Sequence, residues 1–351
     1  MVDEGLSQLS NTLIYSAMVV YTIAFLCFVI DLSGRGRVPA VKVPAVEVAT
    51  EPAEPAEKIR VGAAIGAGTS ATLGTSGTAG TLMASGPAGS EGGPGRSRRR
   101  AAGIAVSTTY LALVLHLGAV IARGLSVHRA PWGNMYEFSI SGTVVVTAVF
   151  LIVLWGQDLR FLGTFVIGPV LLSLGLATTV LYTDAAQLLP ALQSFWLIIH
   201  VSVAFIASAL FTLGFSLTLI QLVQERRELA RAAGRPPLRG QFMDALPSSV
   251  ELESSAYRVH AIAFPLWSFT LIAGAIWAEK AWSSYWSWDP KEVWSFVIWV
   301  VYAAYLHARV TAGYRGRKAA YLALVGFACI LFNYLVVNFH FVGFHSYAGV
   351  G

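Results

Sequence analysis

The sequence predicts an all-α fold, a polytopic integral membrane bundle of about eight transmembrane helices. Three observations predict it. The 351 residues are 56% hydrophobic and only 12% charged, about half the charge of an ordinary soluble domain. Apolar stretches near the roughly 20 residues that cross hydrocarbon as a helix recur along the chain. None alternates with a two-residue period, as the strands of a membrane barrel would. This balance excludes a soluble cytosolic domain, a disulfide scaffold, a collagen-like fibre and a wholly disordered chain.

The spans fall at about 9–30, 103–123, 137–156, 163–182, 195–223, 256–278, 291–311 and 319–341. The first has no basic lead-in, so residues 1–30 are read as a retained anchor and not a cleaved signal. Residues 31–102 are of another kind. Pro/Ala/Glu repeats give way to a Gly/Ala/Ser/Thr tract and then to Arg96, Arg98, Arg99 and Arg100. With few large apolar residues this segment cannot build a core and reads as a disordered cytoplasmic linker. Its basic cluster is read as a topology signal or a contact for anionic lipid, not a nucleic-acid site. Residues 103–351 form the remaining seven-span domain.

Lysine and arginine placement sets the expected orientation. The segments 31–102, 157–162, 224–255 and 312–318 carry 18 basic residues, against Arg129, Lys280 and Lys291 in the alternate segments. Both termini and the loops at 124–136, 183–194, 279–290 and 342–351 are therefore expected on the outer face of a plasma membrane. Cys27 and Cys329 lie inside apolar runs with no CxxC. That excludes a zinc ribbon or a redox dithiol and leaves two small buried side chains.

Tryptophan is placed unevenly. Six of ten, Trp277, Trp282, Trp286, Trp288, Trp294 and Trp299, fall within 23 residues around the loop WAEKAWSSYWSWDPKEVW. An aromatic belt would spread over both interfaces; a flat apolar platform for a planar ligand would be local. Both readings stand on spacing alone. Trp282 and Trp286 are four apart and share a face if the turn is helical. Asp289-Pro290, with Glu292 close behind, marks a helix start.

Seven histidines are sorted by the same topology. His200, near the start of the fifth span, and His345, after the eighth, share the outer face with the tryptophan loop. Histidine in a span is costly and functional by default, and two neutral imidazoles are standard axial chemistry for haem iron. No carboxylate cluster or HxxxH spacing points to zinc. Spacing does not choose His345 over His340. His307 lies about 24 Å along the seventh span, toward the opposite side. His116, His128 and His260 carry no assigned role.

These residues carry a resemblance. The tryptophan run is similar to the "WWD" signature of haem-handling membrane proteins. Its SYWSWDPKE form resembles the CcsA/ResC family of system II cytochrome c maturation, called CcsB in actinobacterial naming. Gln193-Ser194-Phe195-Trp196 before His200, Tyr305-Leu306-His307-Ala308-Arg309, Asn134-Met135-Tyr136-Glu137 and His345-Ser346-Tyr347 match further family motifs in order. The match covers roughly residues 103–351. Ser283 departs from it, standing where family members often carry glycine, as does Phe344, where leucine is common.

The resemblance implies a haem-binding membrane subunit of a cytochrome c synthase. His200 and His345 match its two external haem ligands, and His307 its in-membrane haem histidine. Trp282, Tyr285, Trp286, Trp288 and Asp289 match its haem-contacting segment. It further implies haem b as substrate and thioether formation on a CxxCH apocytochrome c. The expected partners are a ResB/CcsB-like membrane subunit and a thiol-disulfide reductant system. Two other readings remain open at this point: a haem exporter or chaperone like CcmC and CcmF, and a transporter or scaffold without a cofactor.

Overall fold

The computed structural model describes residues 2–34, 94–186, 193–235 and 241–345. Among them there are helices and no strands. The long helices are α1 (Glu4–Gly34), α2 (Pro94–Ser126), α3 (Met135–Gly156) and α4 (Gly163–Thr179). They are followed by α5 (Phe195–Ala232), α6 (Ser249–Trp282), α7 (Pro290–Val310) and α8 (Arg317–Leu331). Short 3₁₀ turns at Arg160–Leu162 and Gln241–Ala245 precede α4 and α6. Among the described residues eight helices are long and apolar enough to cross a membrane, the number the hydropathy predicts.

Several helices outrun their expected spans. At about 1.5 Å per residue, α5 is about 57 Å long and extends well past a bilayer core of about 30 Å. The linker expected at 31–102 lies outside the described residues except at its ends, where 31–34 continue α1 and 94–102 open α2.

Sequence signals fix the helix starts. Asn134 caps α3 by accepting the Glu137 amide, and Ser194 caps α5 by accepting that of Trp196. Ser248 with Glu251, and Asp289 with Glu292, form capping boxes on α6 and α7, each satisfying donors the first turn leaves unpaired.

Packing follows membrane logic. Fully buried Ala17, Ala24, Ala105, Ala112 and Ala119 line α1 and α2, and small residues let helices approach where no hydrophobic effect drives them together. Large apolar side chains such as Val114, Leu172 and Ile262 point outward. In water that surface would drive aggregation; against lipid tails it is matched. Indole N–H groups tie α6 to α7, Trp267 donating to the Ser295 carbonyl at 3.0 Å and Trp299 to the Ser268 hydroxyl at 2.8 Å.

The two ends of the bundle differ. At one end α5, α6, α7 and α8 meet in ion pairs, Arg227 and Arg231 with Asp244, Arg309 with Glu253 and Arg317 with Glu225. The other end gathers the close of α2, the start of α3 and the segment after α4. There Glu137 is fully buried and accepts from Arg123 Nε at 3.0 Å, from Arg129 Nη1 at 2.6 Å and from the Gly133 amide at 2.9 Å. Arg123 also donates to the Thr183 carbonyl at 2.6 Å. These bonds pin the loop that carries Trp132 against the bundle.

Candidate functional site

The tryptophan end holds a cavity of about 340 Å³, within the range of small-molecule and cofactor sites. Its wall draws on α3, α4, α5, α6, α7 and α8 and on both flanking loops. Each histidine in it is held by groups one helical face or one capping motif apart.

His200 leaves α5 toward α6. Its Nδ1 donates to the Thr270 carbonyl at 2.9 Å, and its ring stacks on Trp277 with centroids 6.0 Å apart and planes 15° off parallel. A Cβ on Gly274 would stand 2.7 Å from His200 Cε1, so this glycine makes room for the imidazole. Thr270, Gly274 and Trp277 are spaced by four and three, one face of α6. A carbonyl can only accept, so the proton sits on Nδ1 and the lone pair on Nε2.

His345 comes from the segment after α8. Its Nδ1 lies 2.9 Å from Asp289 Oδ1, and its ring meets Trp277 and Trp282 edge-on at 5.6 and 5.0 Å. Asp289 is the N-cap of α7 and is 5% exposed. Oδ1 also accepts from the Lys291 amide at 2.9 Å, and Oδ2 from the Phe344 amide at 2.5 Å. One carboxylate thus starts a helix, closes the C-terminal segment onto it and orients an imidazole. Burial pushes the Asp289 carboxyl up, but the His345 bond and charge with the Lys291 and Phe344 amides outweigh it, and the group is held below its ordinary value.

The tryptophan loop is braced by two left-handed residues, Ser283 with φ 57° and Trp288 with φ 59°. Glu292 closes it, accepting from the amides of Ser287 at 2.9 Å and Asp289 at 3.2 Å. Trp277 and Trp282 meet edge to face at 4.8 Å.

Of the residues expected at the site, His200, His345, Trp282, Tyr285 and Trp286 line the cavity. Trp288 does not: it is 76% exposed and touches Trp286 edge-on. Asp289 does not line it either; it stands behind His345. His340 is exposed and off the cavity wall. His307 is exposed near the far end of α7, about 26 Å along the helix from its first residue. His116 is buried beside Tyr21, and His260 among Phe211, Tyr302 and Tyr305. His128 is exposed at the α2 turn. Ser346 and Tyr347 lie outside the described residues.

Sequence reasoning missed Trp132, Lys291, Asn333 and Asn338, all of which line the cavity. The last two carried a signal, polar side chains five apart in an apolar span. After α8 the chain continues as a π-helix over Phe332–Val337, whose i→i+5 bonding brings such residues onto one side.

Residues 132–345 match the Cytochrome C assembly protein family. The chain belongs to that family. Its matched stretch runs from Trp132 to His345 and encloses every cavity residue named above. Among relatives, a cytochrome c biogenesis protein CcsA of Prochlorococcus marinus is 33% identical over 264 residues, covering 70% of this chain and 83% of its own length. CcsA proteins of Guillardia theta and Synechococcus elongatus are 34% identical over 258 residues and 33% over 287. Each covers 70% of this chain, with 85% and 86% of their own lengths matched. The eight spans and the family together make this a multi-pass membrane protein of cytochrome c biogenesis, and the CcsA-type resemblance read from the motifs agrees with these relatives.

Proposed function

We propose that the cavity binds haem b as substrate between His200 and His345 and presents it at the extracytoplasmic face for attachment to a CxxCH apocytochrome c. One observation carries this reading. Two imidazoles from different parts of the chain line one aromatic cavity, each with Nδ1 bound to an acceptor. That second bond fixes tautomer and orientation in metal-ligating histidines and raises their basicity. The donor set fits haem iron, and the walls of Trp277, Trp282 and Trp286 fit a flat apolar ring.

When bound, haem supplies the iron and two vinyl groups, and the apocytochrome supplies two thiols. Cys27 and Cys329 are partly buried within spans and have no part in the reaction. His200 and His345 hold the iron, Asp289 and Thr270 aim them, and the tryptophans fix the plane. Orientation raises effective concentration at the vinyl carbons. The CxxCH histidine would then replace His200 or His345 as the residue holding the iron and let the product leave.

Both termini lie outside on this reading, in keeping with the basic ion-paired end opposite the cavity. His307, far from the cavity, belongs to an earlier station on the haem path, shared with a ResB/CcsB-like subunit; a thiol-disulfide reductant system keeps the apocytochrome reduced.

The test is an absorption spectrum of protein purified from haem-replete cells. A Soret band is expected in wild type, lost in His200→Ala and His345→Ala and restored by imidazole. A wild-type protein without the band would overturn the proposal.

A further inference from the structure

The cavity lining mixes aromatic and polar side chains. One polar wall is formed by the first turn of α7 and the end of α8 with the segment after it, and it holds Lys291, Glu292, Ser295, Asn333 and Asn338. Among the described cavity-lining residues Lys291 is the one lysine or arginine. Its Nζ donates to the Asn333 carbonyl at 2.9 Å and to Asn338 Oδ1 at 2.8 Å. Both acceptors are neutral. The Asp289 charge acts on it through space, but neither nearby carboxylate bonds to it: Asp289 bonds His345 and two amides, and Glu292 bonds Ser287 and the Asp289 amide.

An ammonium has three donors, and this one spends two on groups that do not neutralise it. A charge out of water is expensive unless paired. On the same wall the buried Asn333 Oδ1 has no hydrogen-bond partner, and such groups call for a ligand or solvent atom. The π-helix supplies the cradle, since it presents the Asn333 carbonyl to Lys291 and brings the Asn338 side chain, one residue past its end, to the same ammonium.

We infer that Lys291 is a specificity-determining residue that pairs with a carboxylate of the bound ligand and so fixes which edge of the planar ring faces α7 and α8. The inference rests on the haem reading above and deepens it. A porphyrin ring has near-equivalent faces and edges to an aromatic platform, whereas its two carboxylates lie on one edge. A single cation beside the His345 support sets the in-plane rotation, and with it the edge on which the vinyl groups emerge.

The experiment titrates the full chain, purified from haem-depleted cells, with haem and with haem dimethyl ester, following the Soret band. Wild type is expected to bind the diacid roughly 30-fold more tightly than the diester, the low end for a buried charge pair. Lys291→Met should bring the diacid down to the diester's affinity while leaving diester binding unchanged, and Lys291→Arg should keep the preference. Equal affinity of wild type for the two ligands would overturn the inference, with no variant needed. So would a preference that survives in Lys291→Met. Failure of wild type to bind either porphyrin would instead overturn the haem reading itself.

Discussion

Asp289 Oδ1 and His345 Nδ1 lie 2.9 Å apart across 56 residues of sequence. The carboxylate that starts α7 is the one that aims the imidazole beyond α8. Asp289→Asn separates these duties. Asparagine caps a helix about as well as aspartate, but its amide nitrogen would face an N–H that now bonds a carboxylate oxygen, so a loss of about 1–3 kcal/mol is expected. The His345 tautomer loses its anionic partner, and haem affinity should fall roughly 10–100-fold, the usual cost of losing such support. Thermal unfolding and a haem titration on one sample check both halves.

Acid should loosen this corner of the molecule. The Asp289 carboxyl is held below its ordinary value of 3.8, so the folded state binds fewer protons there than the unfolded one. Its contribution is complete above that value and is lost as pH falls through the lower, folded one. Tryptophan fluorescence of wild type should therefore report a transition below about pH 4 that Asp289→Asn lacks. An identical acid transition in both would refute the assignment.

Gly274→Ala tests the seat of His200. The added Cβ would fall 2.7 Å from Cε1 and 2.8 Å from Nδ1, so the ring must move off the Thr270 carbonyl. A cost of about 1–3 kcal/mol is expected, together with loss of the haem spectrum. Gly214→Ala is the matched control, because its Cβ would strike His260 at comparable cost but away from the cavity. Its spectrum should be that of wild type.

Ser283→Gly should stabilise the protein. Ser283 ends α6 with φ 57° and ψ 31°, a left-handed conformation that costs a residue with a Cβ roughly 1 kcal/mol more than glycine. Calorimetry in a fixed detergent checks the direction.

The fold was legible because lipid imposes a single demand, that backbone groups be satisfied within each span, and runs of 20 apolar residues report it. His200 stands out in the sequence by sharing a face with the tryptophan loop, whereas the choice of His345 over His340 rests on the family resemblance. What stayed hidden depended on side-chain direction. Trp288 and Trp286 are equivalent in a motif, yet a positive φ turns Trp288 outward. Asp289 reads as a ligand contact in the run SYWSWDPKE, yet it stands behind His345 and off the cavity wall. Lys291 looked like an ordinary first-turn residue, since only the π-helix after α8 gives it acceptors. The partners of Glu137, Arg123 and Arg129, meet it through a loop that no periodicity describes.

The cavity wall runs in sequence from Trp132 to His345, so the site is completed only once the segment beyond the eighth span has been made. A nascent chain carrying seven inserted spans owns His200 and every tryptophan of the platform, but it lacks the second imidazole. Asp289 waits as a cap with an oxygen to spare until the eighth span docks. On the proposed reading, ligand capture is thereby timed after membrane insertion, and a chain that misinserts its eighth helix lacks one of the two imidazoles proposed to hold iron.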